Sequence, residues 1–201
     1  MIGAEFFSRL GFFVIPQFFN NEMCNQLRCS FASAEWKPAT VTDGSNDANL
    51  EKYRKSRQYA IDTGMKKEVL SRFSAIMPQL ESHFKITLSE CQPPNFLSYS
   101  IGDFFRRHED AGDHPDLTQA VRRRKVSAVV FLNRNAEEGL ETYSGGALTF
   151  YGIFPDDPQL KSRGFPLRPE EGLLVAFSSR MTHEVQPVTR GRRYSIVTFY
   201  S

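Results

Sequence analysis

The stretch FLSYSIGDFFRRHED, residues 96–110, combines strand-forming side chains with chemically active ones. Its aromatic and aliphatic residues favour one extended strand, and Gly102 predicts a bulge or bend within it. The stretch ends in His108, Glu109 and Asp110. Because side chains two residues apart lie on one face of a strand, an imidazole and a carboxylate are expected to converge on one point.

Further short strands are predicted on the C-terminal side of this stretch, where apolar runs alternate with turn residues. The connection after the stretch is polar and is expected to be a loop or a short helix. The predicted strands are residues 126–133, 145–151 and 172–178, followed by a hairpin with arms 183–188 and 193–201; the loops between them are 113–125, 136–144 and 154–169.

The N-terminal part predicts helices. One follows the cap-type residues Asn20 and Asn21 and extends to about Ala34. A second, residues 65–84, carries an apolar stripe, and Pro78 is expected to break it near Met77. The other predicted segments are a strand at 11–16, a long loop at 36–50 and a weak strand at 53–61.

This order of elements predicts the α+β class: a double-stranded β-helix (jelly roll) core braced by N-terminal helices. The sequence contains no internal repeat and no linker, so we expect one domain over residues 1–201. Its helical support would cover about residues 1–90, and the jelly-roll core about 91–201.

The composition indicates a globular protein, with 40% hydrophobic and 24% charged residues. The net charge of +2 gives no reason to expect a nucleic-acid or membrane partner. The three cysteines show no metal-like spacing and indicate a reducing, cytoplasmic compartment. Glu5, Arg9 and Pro16 interrupt the apolar N-terminus, so no signal peptide is expected. The oligomeric state is left open.

His183 is the strongest candidate for a third ligand, because it follows a buried strand and a tight corner. The other histidines are His83, on the amphipathic helix, and His114, in a polar loop. Two histidines and one carboxylate leave coordination positions open for Fe(II) chemistry with a bidentate cosubstrate and O2. Taken singly, His-x-Asp is a common pattern, and a lone histidine is more often hydrogen-bonded than metal-binding.

Arg193 and Ser195 lie two residues apart near the C-terminus, so they share a strand face. A guanidinium with a neighbouring hydroxyl is a good receptor for a carboxylate. Arg190 and Arg192 are expected to belong to a solvated basic turn instead. Gly145 and Gly146 are expected to allow close backbone packing rather than to bind a ligand.

These motifs together resemble a known superfamily. The pattern is Tyr-x-x-Gly-Asp-x-x-x-x-His-x-Asp, then Ser-Gly-Gly-Ala-Leu-x-Phe, then His-x-Val-x-Pro-Val-x-x-Gly-x-Arg-Tyr-Ser. It is similar to the Fe(II)- and 2-oxoglutarate-dependent dioxygenases, and most similar to their prolyl-4-hydroxylase-like type. The resemblance covers about residues 11–201.

The resemblance implies an oxidoreductase that uses Fe(II), with 2-oxoglutarate and O2 as cosubstrates and ascorbate as a stimulant. It implies that His108, Asp110 and His183 bind the iron. It further implies that Arg193 holds the distal carboxylate of 2-oxoglutarate, with Tyr99 and Ser195 as additional contacts. Apart from the metal centre, no catalytic residue is implied.

The substrate remains open at this stage. The resemblance implies hydroxylation of an unactivated C–H bond of a proline, peptidyl or amino-acid-like substrate, with release of succinate and CO2. Arg107 and Arg122 are candidate substrate-loop residues, although a solvated face explains a basic run equally well. Alternatives are hydroxylation, desaturation or cyclisation of another metabolite, nucleic-acid demethylation, and a non-catalytic jelly-roll binding protein.

Overall fold

The three-dimensional structure is a computed structural model that describes residues 2–40, 50–139 and 141–201. Within these ranges the chain forms six helices and fourteen short strands. The helices are α1 (Ala4–Arg9), α2 (Asn21–Ser33), α3 (Leu50–Tyr53), α4 (Thr63–Ala75), α5 (Met77–Phe84) and α6 (Gln119–Arg122).

The two long helical segments follow the sequence signals closely. The Asn20 side chain accepts a hydrogen bond of 2.9 Å from the Met23 backbone N–H and caps α2. The predicted break near Met77 is confirmed, because α4 ends before Ile76 and α5 begins after it, with Pro78 in its first turn. Proline has no N–H to donate, so it is tolerated at a helix start but not in its interior.

The strands are short and come from all parts of the chain. Those before residue 100 are β1 (Phe13–Ile15), β2 (Trp36–Pro38), β3 (Arg54–Lys55), β4 (Arg57–Tyr59) and β5 (Asn95–Tyr99). Those after it are β6 (Phe104–His108), β7 (Val126–Phe131), β8 (Tyr143–Gly145), β9 (Leu148–Phe150), β10 (Phe165–Pro166), β11 (Leu174–Ser178), β12 (His183–Val185), β13 (Val188–Gly191) and β14 (Arg193–Tyr200).

The strands build two facing antiparallel sheets, the jelly-roll arrangement predicted from the sequence. The major sheet has seven strands in the order β1-β11-β7-β14-β5-β4-β2. The minor sheet has five strands in the order β10-β9-β12-β6-β3, and β13 and β8 form a separate ribbon.

The core lies on both faces of the major sheet. In β7, the side chain of Val130 packs with the helices, whereas Val129 and Phe131 pack with the minor sheet. Burial on both faces explains why this strand is apolar at successive positions instead of alternating. The predicted bracing by α2, α4 and α5 is therefore confirmed, and the space between the sheets is left for the site.

Residues 96–110 do not form the single strand that the sequence suggested. Gly102 adopts a φ of +80°, and the Asp103 carboxylate accepts a hydrogen bond of 2.8 Å from the Ser100 backbone N–H. The result is a tight turn rather than a bulge. It sends β5 into the major sheet and β6 into the minor sheet.

The predicted C-terminal hairpin is also wrong. β12 pairs with β6 and β9 in the minor sheet, whereas β14 lies between β5 and β7 in the major sheet. The intervening β13 pairs with β8. His183 and Arg193 are therefore brought to the same site from two facing sheets, which hydrophobic alternation along the chain does not reveal.

Smaller corrections concern the predicted loops and strand ends. Short strands occupy parts of the loops predicted at 36–50, 136–144 and 154–169, while residues 41–49 of the first loop lie outside the described residues. The weak strand at 53–61 becomes β3 and β4, in different sheets, and the strand at 145–151 narrows to β9. In the described ranges, no helix is long and apolar enough to cross a membrane.

Candidate active site

The three predicted ligands meet between the two sheets. His108 ends β6 and His183 begins β12, and the two are direct cross-strand partners. Asp110 follows β6, where its backbone N–H donates a hydrogen bond of 2.8 Å to the carbonyl oxygen of Ser179. One ligand atom from each of the three side chains lies within 4.8 Å of the others.

The two imidazoles are held in the form that binds a metal. The Nδ1 atoms of His108 and His183 lie 2.7 and 2.8 Å from the carbonyl oxygens of Arg106 and Met181. Because a carbonyl oxygen only accepts hydrogen bonds, each Nδ1 carries the proton and each Nε2 keeps a free lone pair. Both Nε2 atoms face Asp110, at 3.6 Å from Oδ1 and 3.5 Å from Oδ2 respectively.

Charge at the site favours a bound cation. Burial lowers the pKa of His183 to about 4, so this imidazole is neutral at physiological pH. Burial alone would raise the pKa of Asp110, but the facing His183 and His108 outweigh it and hold that pKa below its usual range. A neutral imidazole beside an ionised carboxylate is the state that a metal ion requires of its ligands.

Aromatic rings fix the orientation of both imidazoles. Phe105 stacks on His108 with ring centroids 3.5 Å apart, and Phe177 meets His183 edge-on at 4.9 Å. These contacts together with the carbonyl hydrogen bonds leave the imidazoles little rotational freedom. The donor set is therefore preorganised before any ion binds.

Arg193 reaches the same cavity from the opposite sheet. A cavity of about 410 Å³ is lined by the three ligand residues and by Arg193. Arg193 is 2% exposed, and its guanidinium lies between the rings of Tyr99 and Phe131, at 5.0 and 5.1 Å from their centroids. Its Nε and Nη1 atoms have no hydrogen-bond partner among the described residues.

An unpaired guanidinium at this depth is strongly unfavourable in a finished core. The free guanidinium is therefore suited to receive an anion in the cavity. A bidentate carboxylate would satisfy both free nitrogens at once. The predicted inward orientation of Arg193 is thus confirmed by its burial.

Two further predicted contacts lie beside Arg193. Tyr99 on β5 is its direct cross-strand partner and is buried. Ser195 on β14 points into the cavity, and its hydroxyl is buried without a partner among the described residues. Since all three residues are on adjacent strands of one sheet, the anion would meet donors from a rigid surface.

Tyr143 on β8 is a candidate that the sequence did not reveal. Its hydroxyl is fully buried and has no partner among the described residues. Arg193 and Asn135 lie close to this hydroxyl but not in hydrogen-bonding geometry; burial outweighs their opposing effect and raises the pKa of Tyr143 to about 12, so the hydroxyl keeps its proton. The only signal was a tyrosine two residues before a Gly-Gly pair, which carries little information by itself.

The Gly-Gly pair provides the space for this arrangement, as predicted. Gly146 has a φ of +57°, and an added Cβ would lie 3.4 Å from both Arg193 Cδ and Tyr143 Cε2. A Cβ on Gly145 would lie 2.4 Å from the carbonyl oxygen of Pro187. Neither position therefore accepts a side chain without displacing the wall of the site.

The other arginines singled out in the sequence differ in whether they line the cavity. Arg107 lines the cavity and stacks 3.5 Å from the ring centroid of Tyr151. Arg122 is exposed on α6 and does not line the cavity, so its position gives no support to the predicted role as a substrate-loop residue. Arg190 is not a solvated turn residue, because its Nη2 donates to Ala136 O at 2.5 Å and Thr142 Oγ1 at 2.9 Å.

The other two histidines take no part in the cluster. His83 is on α5, where its Nε2 lies 2.8 Å from the carbonyl oxygen of Gly11. His114 is exposed beside Asp116.

Two imidazoles and a single carboxylate suit a divalent transition metal with open coordination positions, and the free guanidinium suits an anionic second ligand. The residues present therefore fit Fe(II) with a dicarboxylate.

Comparison with known proteins gives an independent result. A family profile described as the 2OG-Fe(II) oxygenase superfamily matches residues 94–201. A PKHD-type hydroxylase of Sphingopyxis alaskensis is 33% identical over 107 residues, which is 53% of this chain and 43% of that protein. PKHD-type hydroxylase XAC2942 of Xanthomonas axonopodis pv. citri is 28% identical over 184 residues, covering 89% of this chain and 73% of that protein.

Solved structures show the same fold. A Pseudomonas putida prolyl-4-hydroxylase superposes with a TM-score of 0.67 at 24% identity, over 94% of this chain and 91% of that one. A Trichoplax adhaerens prolyl hydroxylase, determined with a fragment of a hypoxia inducible factor oxygen degradation domain, gives 0.69 at 20% identity, over 98% and 86%.

Proposed function

Since the chain belongs to the 2OG-Fe(II) oxygenase superfamily, we propose that it hydroxylates an unactivated C–H bond of a proline, peptidyl or amino-acid-like substrate. In the overall reaction, 2-oxoglutarate and O2 are consumed. One oxygen atom enters the substrate as a hydroxyl group, and the other enters succinate as CO2 is released.

One observation carries this proposal: Arg193 is buried in the same cavity as His108, Asp110 and His183, and two of its nitrogens have no partner in the part of the chain that the structure describes. A purely structural protein would gain nothing from a buried, uncompensated cation, and a simple anion-binding protein would not need the three metal-binding side chains beside it. An enzyme that binds an anionic cosubstrate next to a metal requires one.

The roles follow from the geometry. His108, Asp110 and His183 would hold the Fe(II), which supplies the O2 activation that side chains cannot perform. Arg193 would bind the distal carboxylate of 2-oxoglutarate, with Ser195, Tyr99 and Tyr143 as neighbouring donors. All four lie in rigid strands, so the cosubstrate would be oriented without reorganisation of the protein.

Apolar side chains would protect the reaction from water. Leu97, Val129, Leu148 and Val185 line the cavity between the metal ligands and Arg193. Excluding water strengthens the charge interactions of the site and limits side reactions. No separate acid or base is required of the chain.

The choice of substrate rests on the relatives. Several curated matches are named PKHD-type hydroxylases, and two superposable structures are prolyl hydroxylases, one of them holding a peptide fragment. A proline or a similar aliphatic ring fits a cavity of about 410 Å³ that is lined in part by apolar side chains.

Anaerobic titration of the protein with Fe(II) and 2-oxoglutarate tests the proposal. We expect a weak visible charge-transfer band, and succinate formation once O2 is admitted. His108→Ala should abolish both, whereas His114→Ala, an exposed histidine outside the cluster, should abolish neither. Absence of the band in the wild-type protein would contradict the proposed function, and a mass gain of one oxygen in a proline peptide would support the substrate class.

A further inference from the structure

The basic run at residues 122–125 is divided by the structure. Arg122, Arg123 and Lys125 are exposed, whereas Arg124 is half-buried and lines the same cavity as Asp110. The run begins at Arg122, the last residue of α6, and of its four side chains only that of Arg124 lines the cavity. Arg124 is therefore a separate feature from the solvated basic surface around it.

Arg124 is a cation without a counterion among the described residues. Its Nε donates to Gln92 Oε1 at 3.2 Å and its Nη1 donates to the backbone oxygen of Asp110 at 3.1 Å, and both acceptors are neutral. Its guanidinium stacks 3.6 Å from the ring centroid of Phe199. In the described ranges, no carboxylate oxygen lies within 4.0 Å of a nitrogen of the Arg124 guanidinium, which is the distance limit for an ion pair.

Burial makes this charge unfavourable. The guanidinium lies partly inside the cavity wall, where it donates to the neutral oxygens of the Gln92 side chain and the Asp110 backbone. The Asp110 carboxylate is already turned toward the two histidines. A half-buried cation beside a metal centre, with a free edge toward the cavity, is suited to receive an anion.

The position of Arg124 indicates which anion it would bind. Alternate residues 193, 195, 197 and 199 of β14 all line the cavity. Arg193 and Phe199 are thus separated by six residues, or about 20 Å at 3.3 Å per residue. A 2-oxoglutarate with its distal carboxylate at Arg193 and its other end at the metal has no further carboxylate for Arg124, so Arg124 is left for the substrate.

We propose that Arg124 binds a carboxylate of the substrate, so that the enzyme prefers free acids over the matching amides. The apolar side chains of Leu117, Val121 and Phe199 line the cavity next to Arg124 and would hold the body of such a substrate. A single guanidinium matches a single negative charge. This inference rests on the proposed function and narrows its substrate to amino-acid-like molecules or peptides with a C-terminal carboxylate near the reacting carbon.

The test uses a matched pair of probes, N-acetyl-L-proline and N-acetyl-L-prolinamide, with the full-length protein under anaerobic conditions. Mn²⁺ replaces Fe(II), and its paramagnetism broadens the proton NMR signals of any molecule bound nearby. With 2-oxoglutarate present, we expect the acid to bind about tenfold more tightly than the amide. In Arg124→Gln this ratio should fall to about one, and in Arg124→Lys it should be partly retained.

Arg122→Gln is the matched control, because it removes an equal charge from the exposed part of the same run. It should leave the acid-to-amide ratio unchanged. If Arg124 only positions Asp110, its replacement will weaken binding of both probes and of Mn²⁺ without changing the ratio, and the inference is overturned. Equal binding of the two probes, or binding of neither, to the wild-type protein overturns it as well.

The signals of 2-oxoglutarate separate this inference from the proposed function. If Mn²⁺ broadens them and the acid is not preferred, only the role of Arg124 fails. If they are not broadened, or are broadened equally in Arg193→Gln, the proposed function itself fails.

Discussion

The two ends of the cavity differ in how deeply their side chains are buried. The inner end (Tyr99, Arg193 and Ser195, with Tyr143 beside Arg193) is almost fully buried, and several of its polar side-chain atoms have no partner among the described residues. The outer end (Leu117, Val121, Arg124 and Phe199) is partly open and is built mainly from the connection after the metal ligands. A rigid inner end suits one invariant cosubstrate, and a looser outer end suits a substrate that differs between relatives.

Replacing the cation of the inner end should have the largest effect. Arg193→Met is expected to weaken 2-oxoglutarate binding at least about thirtyfold, because charged pairs in desolvated sites contribute about 2–5 kcal/mol. The same change should leave thermal stability without ligand unaltered or higher, since an unpaired buried charge is removed. Calorimetric titration and thermal unfolding measure the two quantities. Arg192→Met is the control, and wild-type affinity in Arg193→Met would remove the distinction between the two ends.

A smaller loss is expected when the inner end is crowded. Gly146→Ala places a Cβ 2.8 Å from Val188 and 3.4 Å from Arg193 at a φ of +57°. Strain of this kind costs about 1–3 kcal/mol, so both stability and 2-oxoglutarate affinity should fall. Gly152→Ala is the matched control, because its φ is +70° but nothing lies within 4 Å of the added Cβ. It should lower stability through the backbone alone and leave the affinity intact.

Removing one hydroxyl from the inner end should have a moderate effect. Tyr143→Phe deletes a buried donor that has no partner among the described residues. We expect about tenfold weaker 2-oxoglutarate binding, because a charge-assisted hydrogen bond contributes about 1.5–3 kcal/mol, together with equal or higher stability of the ligand-free protein. Tyr59→Phe should instead lower stability and leave the affinity unchanged, since the Tyr59 hydroxyl is 3.1 Å from that of Ser98 and lies outside the cavity. Loss of stability without loss of affinity in Tyr143→Phe would contradict this assignment.

The smallest effect is expected at the rim of the outer end. Asp113 and Arg180 form a bidentate ion pair with distances of 2.5 and 2.9 Å, but both side chains are largely exposed. Exposed pairs contribute little and are screened by salt. Arg180→Ala should therefore leave the melting temperature nearly unchanged, and any difference should vanish at high salt. A large loss of stability would show that the outer end is as rigid as the inner one.

The sequence indicated which residues form the site better than it indicated how the chain brings them together. His108, Asp110, His183 and Arg193 were all identified, because each residue type in that order indicates its chemistry. The route by which they meet was not predicted, since a turn at Gly102 and the assignment of β12 and β14 to different sheets depend on long-range pairing. Periodicity reports which face of a strand is buried, but not which strand lies beside it.

The outer end was harder to predict from the sequence, because it too depends on contacts between distant parts of the chain. The run at 122–125 gave no sign that Arg124 alone turns inward, because burial of a charged side chain depends on the end of α6 and on Phe199 from β14. Tyr143 was missed because a buried hydroxyl looks like any core tyrosine until its missing partner is seen. Tyr143 is recognised by its unsatisfied hydroxyl, and Arg124 by the absence of a counterion among the described residues; only the three-dimensional structure reveals either feature.

A crystal structure grown without O2 from protein with Mn²⁺ and 2-oxoglutarate tests the central claim most directly. We expect one metal ion bound by the Nε2 atoms of His108 and His183 and by the Asp110 carboxylate. The distal carboxylate of 2-oxoglutarate should meet the free nitrogens of Arg193. A metal bound elsewhere, or 2-oxoglutarate oriented away from Arg193, would contradict the account.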